Sequence, residues 1–263
     1  MKQFAITILD ALLPRRVKNS IMHLSYHLAR AEFDYFAHRY CIAPNMTWGL
    51  KTMAARGFNP RTVIDIGAYE GEWSVTAQDI WPSSKVIMVE PNSEKTAKLQ
   101  AVAAKLNGEV FVDLLGATNG KEVQFNVMET GSSVMSERSE APRKIETRAL
   151  RTLDSLALDV DAPGLLKIDA QGYELEILRG SNATLKQIEA VLLEVAVIEI
   201  NEGAPLLHEV VAFMKERNFV AAELADIHRR PLDGALSQID VIFVRENSKL
   251  LTDRRFFTSG TKQ

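Results

Sequence analysis

After Pro60, short runs of apolar and β-branched residues alternate with stretches of helical periodicity, and this alternation constrains the fold more than any other feature. Such a pattern is typical of a parallel sheet whose strands are joined by crossover helices. The strands it predicts are residues 62–66, 85–89, 109–115, 165–168 and 190–195. The sequence therefore predicts an α/β domain built on a largely parallel sheet.

The last part of the pattern differs from the rest. Residues 220–224 and 239–244 are predicted as two strands separated by a polar loop, and we expect them to pair antiparallel. Crossover helices are predicted from Gly71, from Ser93 as N-cap to about residue 106, over 174–186 and over 205–217. The whole pattern predicts a seven-stranded, mostly parallel sheet with an antiparallel last strand. A plain dinucleotide-binding sheet needs no such closing hairpin.

Two stretches fall outside the alternation. The first 59 residues are predicted to be helical, with helices over residues 20–40 and 48–56. Residues 116–155 contain the turn signal Asn119-Gly120 and two strand patterns, at 122–128 and 144–150, which indicate a β-rich insertion. The predicted division is a helical N-terminal extension (1–59), a ligand-binding domain (60–247) and a C-terminal tail (248–263).

Composition and charge limit the partners. The formal net charge of −3 gives no electrostatic argument for nucleic acid or an anionic membrane. No apolar run approaches the roughly 20 residues of a transmembrane helix. Cys41 is the only cysteine, which excludes an internal disulfide and fits a reducing compartment, so a cytoplasmic location is expected. Residues 4–13 lack the features of a signal peptide and are interpreted as an amphipathic helix that packs on the protein or on a second subunit, as in a homodimer.

The strongest functional signal lies where the first predicted strand ends, in the segment VIDIGAYEG at residues 63–71. An apolar strand that contains Asp65 ends at Gly67, where a tight turn is predicted, and Gly71 begins the next helix. Glycine lets the backbone approach a ligand closely, and ligands of such sheets bind at the carboxyl ends of the strands. The residues predicted to lie against the amino-acid end of S-adenosylmethionine are Asp65, Gly67, Ala68, Tyr69 and Gly71.

A second signal follows the next predicted strand. Glu90 comes directly after the apolar run 86–89, at about the 20-residue separation from Gly67 that one βαβ half requires. A carboxylate at this point can accept hydrogen bonds from both ribose hydroxyls of a nucleoside. Asn92 is predicted to approach the adenine or ribose, and Leu115, at the end of the third predicted strand, completes the predicted cofactor-binding set.

A nicotinamide-binding site is the rival interpretation of this loop. Its fingerprint is G-x-G-x-x-G, with open backbone where the helix start meets the pyrophosphate. Here the bulky Tyr69 and the anionic Glu70 occupy that place. S-adenosylmethionine carries no phosphate, so these residues favour it over a dinucleotide. With the antiparallel final strand, the loop predicts a class I methyltransferase (Rossmann-like) fold.

These segments resemble the FkbM family of methyltransferases over about residues 60–245. The matching stretches are VIDIGAYEGEWS (63–74), VEPN (89–92), GSSV (131–134), TLDSL (152–156), LKIDAQGYE (166–174) and LRG (178–180). The resemblance implies an O-methyltransferase that acts on a hydroxyl of a sugar, glycan or secondary-metabolite intermediate. The family often has glutamate where this chain has Gln171, so no catalytic role is predicted for that amide.

Methylation of an aliphatic hydroxyl requires a group that takes its proton. Asp169 follows the fourth parallel strand, and Glu194 interrupts an apolar strand near its end, so both are predicted as catalytic residues. Lys167, two residues before Asp169, should project from the same face. The two carboxylates are compatible with a bound Mg²⁺, although they form an incomplete ligand set, and the metal is left open.

Some assignments stay open. Glu174 either reaches back to the Asp169 loop or simply begins a helix, where the helix dipole favours acids. Ser132 and Ser133 either line the acceptor pocket or belong to an ordinary polar loop, and His228 is interpreted as part of a solvated turn. N-methylation of an amine and a non-catalytic S-adenosylmethionine-binding scaffold remain as alternative functions, and a nicotinamide enzyme is the least favoured.

Overall fold

The computed structural model describes residues 14, 17, 20–21, 24–25, 28, 44–128, 131–138 and 142–256. The chain divides into two compact units, residues 1–45 and residues 46–263. In the first unit, the described positions between residues 17 and 28 are helical. The helix predicted at 4–13, most of the helix predicted at 20–40, and Cys41 lie outside the described residues.

Nine strands lie in the described part of the second unit. In chain order they are β1 (Thr62–Ile66), β2 (Lys85–Val89), β3 (Gly108–Phe111), β4 (Glu122–Val127), β5 (Lys144–Ala149), β6 (Gly164–Ile168), β7 (Ile188–Ala196), β8 (Phe219–Arg229) and β9 (Leu236–Arg245). Seven of them form one sheet in the order β3-β2-β1-β6-β7-β9-β8. Five neighbouring strands of this sheet run parallel, namely β3, β2, β1, β6 and β7. β9 runs antiparallel to both of its neighbours, β7 and β8. The predicted seven-stranded class I layout is confirmed.

Five α-helices lie in the described part of the second unit, one before β1 and the others between strands. They are α1 (Met46–Ala55), α2 (Glu72–Ile80), α3 (Thr96–Ala103), α4 (Glu174–Arg179) and α5 (Leu207–Glu216). A short 3-10 helix precedes α3, and the side chain of Asn92 caps it by accepting the Glu94 amide at 3.0 Å. The prediction that Ser93 is the cap was wrong, because the chain turns one residue earlier. None of the helices in the described part has the length and apolar character that crossing a bilayer requires.

The helix predicted over residues 174–186 is shorter than expected. It ends at Arg179, and a separate 3-10 helix follows at Thr184–Gln187. The carboxylate of Asp154 accepts the backbone amides of Ala183 and Thr184 at 2.7 and 2.8 Å. A side chain more than 20 residues away therefore turns the chain between the two helices, and helical periodicity alone carries no sign of it.

Apolar side chains cover both faces of the sheet, because successive strand residues point to opposite sides. One buried cluster contains Ile64, Ile168 and residues of α4 and α5. The other contains Val63, Leu165 and residues of α1, α2 and α3. On this second face, close to the carboxyl ends of the strands, charged side chains replace apolar ones. They begin with the paired register positions Asp65 and Lys167.

The segment between β3 and β6 forms the predicted β-rich insertion. Strands β4 and β5 pair antiparallel as a separate two-stranded ribbon. β3 ends at Phe111 rather than at Leu115 as predicted. Leu115 instead forms an isolated bridge with Arg151, and backbone hydrogen bonds join residues 114 and 116 to Arg151 at 2.9 Å. The chain leaves the sheet early because it pairs with the end of the ribbon.

The closing hairpin is longer than predicted. β8 extends to Arg229 and β9 begins at Leu236, with register shifts along β8. His228 therefore lies on a strand opposite Gln238 and not in a solvated turn, which corrects the sequence interpretation. The pairing partners of residues 226–229 lie on β9, so their strand character depends on the hairpin as a whole.

Gly180, directly after α4, provides a test of how the insertion meets the helix layer. A Cβ atom at this position would lie 2.2 Å from the carbonyl oxygen of Gly116. We expect Gly180→Ala to destabilise the fold by about 1–3 kcal/mol or more, because backbone must move to accommodate the methyl group. Urea unfolding measures this change.

Gly49→Ala is the matched control. A Cβ there would meet its nearest neighbours at 3.6–3.7 Å, an ordinary contact, and alanine favours a helix by up to about 1 kcal/mol over glycine. The control should be neutral or stabilising. Equal loss of stability in both variants would contradict the proposed close approach at Gly180.

Candidate active site

A cavity of about 290 Å³ lies at the carboxyl ends of the parallel strands. This is close to the lower end of the ~300–1,000 Å³ range of small-molecule sites. Its walls come from the ends of β1, β2, β3 and β6, from α4, and from the insertion. The lining residues include Ile66, Gly67, Tyr69, Glu90, Asn92, Asp113, Leu114, Leu115, Phe125, Ser132, Ser133, Asp169, Gln171, Tyr173 and Ile177. The cavity therefore lies where ligands of open α/β sheets bind.

The loop after β1 forms one wall. Gly67 has a φ of +73°, and a Cβ there would lie 1.9 Å from the carbonyl oxygen of Asp169, so only glycine fits between the two strand ends. The amides of Gly67 and Ala68 donate to the carbonyl of Val89 at 2.9 and 3.2 Å. Of the predicted loop residues, Gly67 and Tyr69 line the cavity, whereas Asp65, Ala68 and Gly71 lie behind it.

Glu90 continues this wall at the end of β2, with a side chain held in one position. Its Oε2 accepts the amide of Tyr69 at 2.9 Å, and its Oε1 accepts the amide of Asn92 at 2.8 Å. Only 6% of the residue is exposed. Burial raises the pKa of this carboxyl, and the two backbone donors oppose that rise. The carboxylate is thus oriented before any ligand arrives, with lone pairs left on both oxygens.

Glu70 lies outside the cavity lining. Its carboxylate pairs with Lys98 at 2.6 Å and with Lys95 at 3.2 Å, and these lysines lower its pKa. Lys95 also lies 4.2 Å from the centre of the Tyr69 ring. The argument that the charge of Glu70 repels a pyrophosphate is therefore weakened, because two ammonium groups neutralise it. The carboxylates that do face the cavity belong to Glu90, Asp113 and Asp169.

Behind the loop, a buried ion pair joins β1 to β6. Lys167 Nζ lies 3.2 Å from Asp65 Oδ1, 3.5 Å from Asp169 Oδ2 and 3.2 Å from the Gly67 carbonyl. Asp65 is fully buried, and its other oxygen accepts the hydroxyl of Ser74 at 2.7 Å. Burial opposes the charge on Lys167, but Asp65, Asp169 and Glu194 together raise its pKa above the usual value. Asp65 therefore anchors Lys167 and does not reach the cavity.

The two predicted catalytic carboxylates are joined by an amide. Gln171 Nε2 donates to Asp169 Oδ1 at 3.1 Å and to Glu194 Oε2 at 2.7 Å. Gln238 Nε2 donates to the same Glu194 oxygen at 2.8 Å. Asp169 lines the cavity, whereas Glu194 lies behind it. The pKa of Glu194 is raised well above its usual value by burial and then by the neighbouring carboxylates of Asp169, Glu174 and Asp240.

Glu174 reaches back to the Asp169 loop, which resolves that open assignment. Its Oε1 accepts the amides of Ala170 and Gly172 at 2.9 and 3.0 Å. From the insertion, Ser133 Oγ lies 3.2 and 3.1 Å from the carbonyl oxygens of Ala170 and Gln171. Ser132 and Ser133 both line the cavity. The loop after β6 is therefore held from two sides.

A histidine–carboxylate pair lies on the closing hairpin. His228 Nε2 is 2.8 Å from Asp240 Oδ2, and this contact raises the pKa of the imidazole. Burial raises the pKa of Asp240, while His228 opposes that rise. Within the described residues, no group of three or more histidine, cysteine, aspartate or glutamate side chains is arranged to hold a metal ion.

Sequence reasoning missed three polar side chains in or beside the cavity. Asp113 lines it just beyond β3, much as Glu90 follows β2. An acidic residue soon after a strand could therefore have pointed to the cavity. Gln171 was discounted because it carries no charge. Gln238 carried no sequence signal, because its contact with Glu194 depends on the pairing of β9 with β7.

The pH dependence of stability tests the buried Glu174. Only 3% of the residue is exposed, and burial raises its pKa to about 7 from the usual 4.5. Since the folded pKa is the higher one, the protonated carboxyl favours folding below pH 4.5, and this contribution is lost as the pH rises through 7. Glu174→Gln keeps the acceptor oxygen and removes the titration. We expect its stability relative to wild type to rise by up to roughly 3 kcal/mol between pH 4 and 8.

Urea unfolding at several pH values measures this difference. Glu176→Gln, on the same helix with a partly exposed side chain, is the control and should show no comparable dependence on pH. A constant difference between Glu174→Gln and wild type across the range would show that Glu174 stays ionised in the folded protein.

Comparisons with known proteins bear on this site. The sequence model of the methyltransferase FkbM domain matches residues 65–221, and no curated protein matches the chain. A methyltransferase FkbM structure from Methylobacillus flagellatus KT is similar at 16% identity and a TM-score of 0.45, over 69% of this chain and 43% of that one. This chain thus spans less than half the length of that protein.

Two further solved structures are similar. One is magnesium protoporphyrin IX methyltransferase from Synechocystis PCC 6803 with bound S-adenosylmethionine, at 12% identity and a TM-score of 0.43, covering 73% of this chain and 74% of that one. The other is a putative RNA methyltransferase from Pyrococcus horikoshii, at 16% identity and a TM-score of 0.44, covering 76% and 81%. The family match alone covers more than half of the 263 residues, and the chain therefore belongs to the FkbM family of methyltransferases.

Proposed function

We propose that this methyltransferase transfers a methyl group from S-adenosylmethionine to a hydroxyl group of a sugar, glycan or secondary-metabolite intermediate. The observation that carries the proposal is one cavity whose wall holds three carboxylates, Glu90, Asp113 and Asp169, of which the first and the last are placed for different tasks. Glu90 is fixed by backbone amides on one side, and Asp169 faces the cavity from the end of β6. The first suits a nucleoside, and the second suits an acceptor that gives up a proton.

The residues present fit S-adenosylmethionine. Glu90, with free lone pairs on both oxygens, would accept the ribose hydroxyls, and Asn92 lies beside it. The apolar part of the wall, which includes Leu115 and Phe125, would contact the adenine. Gly67 and Tyr69, which line the cavity, would lie against the amino-acid end.

Asp65, Ala68 and Gly71 would act indirectly, by shaping this loop. When bound, the cofactor supplies an electrophilic methyl group on a sulfonium sulfur. No step of the proposal requires a metal ion.

The chain's own residues would prepare the acceptor oxygen. Asp169 Oδ2 lies 3.5 Å from the ammonium of Lys167, and its other oxygen accepts the Gln171 amide. A carboxylate held in this way can accept the proton of a hydroxyl placed about 3 Å away. The Ser132–Ser133 segment forms part of the same cavity wall and would limit the access of water. A carboxylate with neighbouring amides suits an acceptor rich in hydroxyl groups.

Isothermal titration with S-adenosylmethionine and S-adenosylhomocysteine tests the cofactor. We expect saturable one-site binding that Glu90→Gln weakens by about tenfold or more, because a charged acceptor of two hydroxyls is lost. Glu94→Gln is the matched control, since Glu94 is exposed and lies outside the cavity. Equal affinity of both variants, or no binding by the folded wild type, would refute the assignment.

Formation of S-adenosylhomocysteine with a panel of monosaccharides, glycosides and amino sugars tests the acceptor. Asp169→Asn should reduce kcat by about 10²-fold or more, as the loss of a general base does, and Glu194→Gln should also lower it. Turnover confined to amines, with little effect of Asp169→Asn, would favour N-methylation. Binding of the cofactor without turnover on any acceptor would favour a non-catalytic protein.

A further inference from the structure

The amide of Gln171 occupies an unusual position. Its two N–H groups point to two carboxylates, Asp169 and Glu194, at 3.1 and 2.7 Å. An amide nitrogen carries two hydrogens and accepts none, so both of its donors are used. Gln171 also has a φ of +52°, a left-handed conformation that is uncommon for a residue with a side chain. Such a conformation persists only where the surroundings hold it.

The surroundings do hold it. Ser133 Oγ contacts the Gln171 carbonyl at 3.1 Å, and Glu174 accepts the amide of Gly172 at 3.0 Å. The backbone on both sides of the side chain is therefore fixed by contacts from the insertion and from α4. The left-handed conformation of Gln171 places its uncharged amide between the two acids.

Each acid has further contacts of its own. Asp169 also faces the ammonium of Lys167 at 3.5 Å. Glu194 accepts a second amide, from Gln238 at 2.8 Å. The other titratable groups that face this pair are Glu174 on α4, Asp240 on β9 and His228 on β8. Asp65 faces Lys167, and Asp226 faces His228 and Asp240. The pair thus lies in a crowded acidic region with one lysine and one histidine.

Gln171 Nε2 lies within 3.1 Å of one oxygen of each carboxyl, so the two groups are neighbours. Without this donor, neighbouring carboxyls would tend to share one proton, because like charges resist ionising together. We propose that Gln171 is a positioning residue whose amide keeps Asp169 and Glu194 as two separate hydrogen-bond acceptors that do not share a proton. This inference rests on the proposed function, because an Asp169 carboxylate that shares no proton can take the proton of the acceptor hydroxyl.

Two variants of nearly equal length separate this role from simple packing. Gln171→Met removes both donors, and Gln171→Glu replaces the amide by a third carboxyl. Both keep an unbranched side chain and therefore carry the same backbone strain as the wild type. Gln124→Met and Gln124→Glu are the controls, because Gln124 is an exposed amide on the ribbon, and its side chain donates to the Thr147 hydroxyl at 3.1 Å.

The first measurement is the free energy of unfolding by urea between pH 5 and 9, without ligand. In both Gln171 variants a shared proton raises the pKa of the cluster, so stability relative to wild type should fall as the pH rises. The Gln124 variants should show a difference that does not change with pH. A pH-independent effect of both Gln171 variants would mean that Gln171 acts only by packing and would overturn the proposal.

The second measurement is the pH profile of kcat with an acceptor that the wild type methylates. The acidic limb of both Gln171 variants should move by about one pH unit or more to higher pH, since Asp169 must lose a shared proton first. An unmoved limb would overturn the proposal. The unfolding experiment needs neither cofactor nor acceptor, so its failure would leave the proposed methyl transfer intact. Absence of cofactor binding would remove the function but not the carboxylate arrangement.

Discussion

The ammonium group of Lys167 is the interaction on which the site depends. It lies among the Asp65 and Asp169 carboxylates and the Gly67 carbonyl, and so joins the ends of the two central parallel strands. The contact with Asp65 Oδ1 at 3.2 Å lacks the geometry of a hydrogen bond, so attraction between charges carries it. In a buried setting such attraction is strong, but a charge left without its partner is costly. The three groups are therefore interdependent.

The backbone acts on the same strand ends as this ion pair. The Asp169 amide donates to the Ile66 carbonyl at 3.0 Å, and the backbone of residue 67 meets the carbonyl of Asp169 where only glycine fits. The loop after β1 then turns so that the Tyr69 amide reaches Glu90 at 2.9 Å. This backbone contact orients the carboxylate that follows β2.

A division of roles follows along the strand ends. The β1–β2 side carries neutral backbone donors and one fixed carboxylate, Glu90. The β6–β7 side carries the acids Asp169 and Glu194, separated by amides rather than by cations. The insertion contributes to the same site. Ser133 contacts the backbone of the loop after β6, and Ser132 next to it lines the cavity.

The sequence by itself determined the order and type of the parallel strands, the antiparallel end and the position of the loop and Glu90. These features depend on local periodicity and on glycine, which act over a few residues. The tertiary structure alone decided which partner each polar or charged side chain contacts. It turned Asp65 away from the cavity towards Lys167, neutralised Glu70 with two lysines, made Gln171 a bridge, and extended β8 so that His228 meets Asp240. Each of these outcomes depends on a partner distant in sequence, whose position exists only after the strands have paired.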